Sequence, residues 1–191
     1  MKFVVGAPPK SSAVNEEHGM SALKWNPSHM AIATTFLSVA FYVGAFLLWP
    51  IGPNIKFLVQ SPMVCLFGGI SIVAATIFVH ELLHLLSVPR SFSAKTTVLG
   101  FNPRKFMFYA FTDVRMSKAD CIRFSLLPFV VLTCIPFAVV YATGRISGWW
   151  EVVAISNAAV SSLDVVFAAI TAFKIPTSQS VHLEMDGIYY R

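Results

Sequence analysis

The chain has 191 residues, 56% of them hydrophobic and only 12% charged, with a mean hydropathy of +0.70 and a net charge of +5. Soluble domains are about 25% charged, so the composition excludes an ordinary water-bathed globule, and 17 Phe with 4 Trp exclude a disordered chain. The basic surplus fits loops on the cytoplasmic face of a membrane rather than nucleic-acid binding.

In chain order, residues 1–28 read as a polar N-terminal tail carrying Glu16 and Glu17. No charge lies between Lys24 and Lys56, and Met30 to Trp49 reads as a first spanning helix, closed by Pro50, Gly52 and Pro53. A hydrocarbon core of about 30 Å needs about 20 apolar residues. This run is too long for the core of a secretory signal, so no cleavable leader is expected. A second apolar run extends from Phe57 to about Val88, interrupted only by His80-Glu81 and His84. A third covers Phe124 to Thr143 and contains Pro128 and Pro136, which predict a kinked helix. The fourth runs from Val152 to Phe173 around a single charge, Asp164.

The long loop between spans two and three, about Pro89 to Asp120, is basic. Its middle, Thr96 to Val114, is rich in β-branched and aromatic residues, and Asn102-Pro103 marks a turn, which predicts a β-hairpin. Ser117 and Asp120 have the spacing of a capping box opening the third helix. The expected fold is an all-α polytopic membrane protein of four transmembrane helices, with a small membrane-associated hairpin between helices two and three. Residues 29–174 form the integral membrane domain and 175–191 a C-terminal tail. Of the 14 Lys and Arg, only Lys56 and Arg145 lie opposite the termini and the long loop. Both termini and that loop are therefore expected in the cytoplasm. Cys65, Cys121 and Cys134 make neither a disulfide framework nor a CxxC zinc site and read as packing residues.

His80-Glu81-Leu82-Leu83-His84 is an HExxH motif. Positions i and i+4 share a helix face, so both imidazoles can reach one metal ion. Glu81, one step along, can take a proton from a water acidified by that metal without itself occupying it. Two histidines and a glutamate in an apolar helix are costly, about 2.5–3.5 kcal/mol for a central charge, and a bound metal offsets that cost. The competing reading is a polar cluster that joins helices by hydrogen bonds. A catalytic zinc wants three protein ligands and a water. His18, His29 and His182 lie outside the spans. Asp164 is the leading third ligand. Counted from the cytoplasmic ends of their spans, His80 lies about 12 Å deep and Asp164 about 13–14 Å. Its competing role is as a hydrogen-bond partner of Ser or Asn on another helix.

With these residues the chain resembles site-2-protease-type intramembrane metalloproteases. More closely, it resembles a small bacterial family of zincin peptidases, long described only as a domain of unknown function. The matching pieces are His80-Glu81-Leu82-Leu83-His84, the hairpin-like segment before Ser117, Leu126-Leu127-Pro128-Phe129, and Asn157 to Asp164, together covering about residues 60–190. The resemblance implies His80, His84 and Asp164 as Zn2+ ligands, Glu81 as catalytic base, and a bacterial cell membrane. Asn157 and Ser161 lie two turns and one turn before Asp164, in register to face the same site. Site-2 proteases usually place Gly after the Asp and prolines before it. Here Val165 follows and no proline stands nearby, which favours the zincin-peptidase group.

The implied activity is zinc-dependent hydrolysis of peptide bonds in membrane-embedded or membrane-proximal segments, near the cytoplasmic face. The partners are then membrane lipids and a peptide substrate, with no nucleic acid. Thr96 to Val114 can hold an extended substrate by strand addition, or can be an interfacial cover that places Phe106, Phe108, Tyr109 and Phe111 among headgroups. Pro128 either kinks its helix or opens a water path. The alternative function is a non-catalytic metal-binding membrane scaffold.

Overall fold

The computed structural model describes residues 2–7, 9, 21–48, 62–88, 97–104, 106–144, 148–184 and 187–191. Strands β1 (Lys2–Val5) and β2 (Ser21–Lys24) precede helix α1 (Pro27–Leu48). Asn26 caps α1, its Oδ1 accepting the Ser28 N–H at 2.9 Å. Pro27 opens the helix at a position where a missing N–H costs nothing. Helix α2 (Pro62–Ser87) follows, then strands β3 (Val98–Asn102), β4 (Met107–Phe111) and β5 (Met116–Ser117). Residues 57–61 of the expected second span lie outside the described residues.

The third apolar run begins earlier than its hydropathy suggests. Helix α3 (Lys118–Phe129) starts at the capping box: Ser117 Oγ donates to Asp120 Oδ2 at 2.7 Å and accepts the Asp120 N–H at 3.1 Å. The run passes through a π-helical turn (Val130–Cys134) into α4 (Ile135–Thr143), which Gly144 ends at φ 64°. The two prolines thus bracket a stretch of altered hydrogen bonding within one continuous run.

The fourth span is not one helix. Helix α5 (Gly148–Val160) and helix α6 (Ser162–Lys174) meet at Ser161 with a bend of 50°. The break puts Asp164 in the first turn of α6, where the helix dipole favours a carboxylate. Lys118 Nζ closes the other end of α6, donating to the Ala172 and Ile175 carbonyls at 2.7 Å each. Among the described residues, three helices are long and apolar enough to cross a membrane, or four if the bent pair counts as one.

The all-α expectation is corrected by two sheets, because both polar flanks carry strands. The last two are β6 (Ser180–Glu184) and β7 (Gly187–Tyr190). One sheet has the order β1-β3-β4, with β1 parallel to β3 and β3 antiparallel to β4 from Val98↔Phe111 to Asn102↔Met107. The expected turn is there: Asn102 Oδ1 accepts the Arg104 N–H at 3.1 Å. The other sheet is antiparallel in the order β2-β7-β6-β5. Gly187 is required in it, since a Cβ there would stand 2.7 Å from the Leu23 carbonyl oxygen.

The chain divides into two compact units, the division falling between His80 and Glu81 inside unbroken α2. The first unit (Met1–Ala33, Glu81–Leu127, Asp164–Arg191) holds both sheets around a core of Val88, Met116, Cys121, Ile175, Val181 and Ile188. The second (Thr34–His80, Pro128–Leu163) is helical, with a core of Ala45, Val140, Ala154, Ile155 and Ala158. Cys121 packs as expected; Cys134 is exposed instead, and the Cys65 side chain lies outside the described ones.

Candidate metal centre

Helix α2 is apolar for five turns before His80, so its one charged residue, Glu81, and its two histidines fall in its last two turns. His80 and His84 are both buried, on one face of that helix. Asp164 Oδ1 stands 3.5 Å from His84 Nε2. With His80, one turn back along the same helix, these residues form a group whose ligand atoms all lie within 4.8 Å of one another. Two atoms bound tetrahedrally at about 2.0–2.1 Å from zinc are about 3.3–3.5 Å apart, which the His84–Asp164 separation matches.

The groups behind the two imidazoles fix which ring nitrogen each presents. His84 Nδ1 donates to the Phe124 carbonyl at 2.7 Å, and the ring stacks on that of Phe124 with centroids 4.7 Å apart. His80 Nδ1 donates to Asn157 Oδ1 at 2.9 Å. An imidazole that donates from Nδ1 carries its lone pair on Nε2, the arrangement a metal ligand needs. Two imidazoles and a carboxylate leave the fourth tetrahedral position for water or substrate. The donor set and its spacing fit zinc.

Glu81 is anchored separately. Its Oε2 accepts the Ala110 N–H of β4 at 2.7 Å. Ala110 faces Leu99 in the β3–β4 ladder, and β4 is the outermost strand of its sheet. The donated N–H therefore points away from β3, and a carboxylate beside the ligand pair is held against an outer sheet edge. Beside it, Tyr109 lies across Gly100, where a Cβ would meet the ring at 2.2 Å, and burial pushes the phenol pKa up.

The structure thus gathers His80, His84 and Asp164 and sets Glu81 next to them. Asn157 and Ser161 join through hydrogen bonds rather than as ligands: Asn157 Nδ2 lies 3.2 Å from Ser161 Oγ. Asp164 has His84 as a neighbour. Of the other histidines, His182 is fully buried in β6, 3.9 Å from Asp113, apart from the ligand group. His29 lies in the first turn of α1, and His18 falls outside the described residues. Sequence reasoning missed two partners, the Phe124 carbonyl and the Ala110 N–H, because backbone groups have no residue-type signature.

Residues 73–179, more than half of the chain, match the model of a family described as "Putative zincin peptidase". No curated protein and no solved structure matches the chain.

Proposed function

This chain belongs to the zincin-peptidase family, and from that premise we propose that it is a zinc-dependent metallopeptidase acting inside a membrane. The observation that carries the proposal is the cluster of His80, His84 and Asp164 within 4.8 Å, with Glu81 adjacent in sequence. Zinc, when bound, polarises a scissile carbonyl and acidifies water. The rest belongs to side chains of this protein. His80 and His84 hold the ion through Nε2, and Asp164 adds the third ligand and a compensating charge. Glu81 takes a proton from water at Oε1 or Oε2 and returns it to the leaving amine nitrogen.

In this reading α1, α2, the α3–α4 run and the bent α5–α6 pair are the four spans, in a bacterial cell membrane. The termini and the 89–120 loop face the cytoplasm, as their basic residues suggest. The substrate is a membrane-embedded or membrane-proximal segment. It must be unwound, because a helical carbonyl is already engaged. The outer edge of β4 supports an extended substrate added as a further strand beside Glu81.

The test is zinc content per chain in detergent-purified protein, followed by cleavage of a membrane-peptide library. Wild type is expected to hold near one zinc, Glu81→Gln to retain it without cleaving, and Asp164→Ala to lose most of it. Absence of zinc in wild type after reconstitution would sink the proposal. Zinc binding with full function in Glu81→Gln cells would favour the scaffold alternative.

A further inference from the structure

Each imidazole of the ligand pair hands its Nδ1–H to a different oxygen, and both oxygens lead back to one proline. We propose that Pro128 is a positioning residue for the metal centre, frees the Phe124 carbonyl for His84, and offers its own carbonyl to the asparagine that holds His80. This rests on the zinc reading above.

The first arm is helix arithmetic. In an α-helix the carbonyl of residue 124 receives the N–H of residue 128. Proline has no N–H. The Phe124 carbonyl is therefore left short of its helical donor, and the His84 Nδ1–H fills that place at 2.7 Å. An unpaired carbonyl in an apolar setting is costly, so the pairing benefits both groups.

The second arm runs through the π-helical turn that begins just after Pro128. There the ladder shifts from i→i+4 to i→i+5, as in the Ile135 N–H bonding to the Val130 carbonyl. At this shift the Pro128 carbonyl accepts from Asn157 Nδ2 at 3.1 Å, and Thr133, within the turn, offers Oγ1 to the same nitrogen at 2.9 Å. Asn157 is fully buried. With Ser161 Oγ also at 3.2 Å, its Nδ2 faces oxygens only, which commits Oδ1 to His80. The amide orientation then requires His80 Nδ1 to be the donor and leaves Nε2 for the ion. A proline that merely bent the helix would not place both carbonyls on the hydrogen bonds that orient the two imidazoles.

The experiment compares full-length wild type with Pro128→Ala in detergent. Zinc affinity is measured by chelator competition, and the visible bands of bound Co2+ report ligand geometry. Alanine restores an N–H that competes with His84 for the Phe124 carbonyl. Zinc binding is expected to weaken about 10–100-fold, the usual cost of losing an outer-shell partner, with shifted Co2+ bands and unchanged helix content. Pro136→Ala, further along the same run, is the control and should keep wild-type affinity and bands. Wild-type affinity and bands in Pro128→Ala would overturn the inference while leaving the zinc reading intact, and so would an equal loss in Pro136→Ala. A wild type that binds neither ion would instead overturn the zinc reading, and this inference with it. Should Pro128→Ala fail to fold, Asn157→Leu decides. It should weaken zinc similarly, and so should Asn157→Asp, which keeps an acceptor for His80 but loses the Nδ2 donor that the Pro128 carbonyl holds; unchanged binding in either variant would overturn the inference.

Discussion

The unit that holds the sheets and the unit made of helices alone differ in the side chains they bury and in those they expose. The first fills its core with Val88, Met116, Ile175, Val181 and Ile188, much as a water-soluble domain does. The second packs Ala45, Ala154 and Ala158 around Val140 and Ile155 and turns Phe36, Leu47, Met63, Phe67 and Tyr141 outward. In water that inversion would be unstable. Within lipid, where tails are as apolar as leucine, helices associate through small residues that let backbones approach closely. The inversion is the strongest support in the fold for the proposed membrane location. It also separates two tasks: Glu81, His84 and Asp164 belong to the sheet-bearing unit, while the network around Asn157 belongs to the helical one.

Four measurements break or sharpen this contrast. The largest expected effect lies in the sheet-bearing unit. Glu81→Gln should cut turnover of any identified substrate by about 10²–10⁴-fold while zinc content stays at the wild-type value. In the same unit, Ile188→Ala hollows out a fully buried site. Chemical denaturation should show a loss of about 2–5 kcal/mol. The helical unit should fail in the opposite way, by crowding. Ala154→Leu, at a fully buried position of the same core, should cost about 1–3 kcal/mol through overpacking, read as earlier thermal unfolding in detergent. A leucine tolerated there would mean the small-residue core is not tightly packed. The smallest effect belongs to the capping box. Ser117→Ala should cost about 1 kcal/mol, seen as faster hydrogen exchange in the first turn of α3 and nowhere in the helical unit.

The clustering of His80 and His84 was legible in the sequence because i,i+4 spacing is a local property of a single helix. Asp164 was expected at the level of His80 in a straight fourth span, whereas the break at Ser161 puts it at a helix start that hydropathy does not register. The β3–β4 hairpin was equally legible, since Asn102-Pro103 supplies its turn locally. The strands in the polar flanks were not. Ser21–Lys24 pairs with Gly187–Tyr190 across nearly the whole chain, and four residues of ordinary composition carry no sign of so distant a partner. Pro128 was visible as a break in helix propensity. Its use as a source of carbonyl acceptors becomes visible only when the residues around Phe124 and Asn157 are brought together.

Strand β7 lies between β2 and β6, yet it follows every helix in the chain. During translation, β2 therefore emerges first and must wait while all the helices are made. At about 5–20 residues per second the delay is of the order of ten seconds. Throughout that interval residues 21–24 lack the partner strand that they hold in the folded sheet.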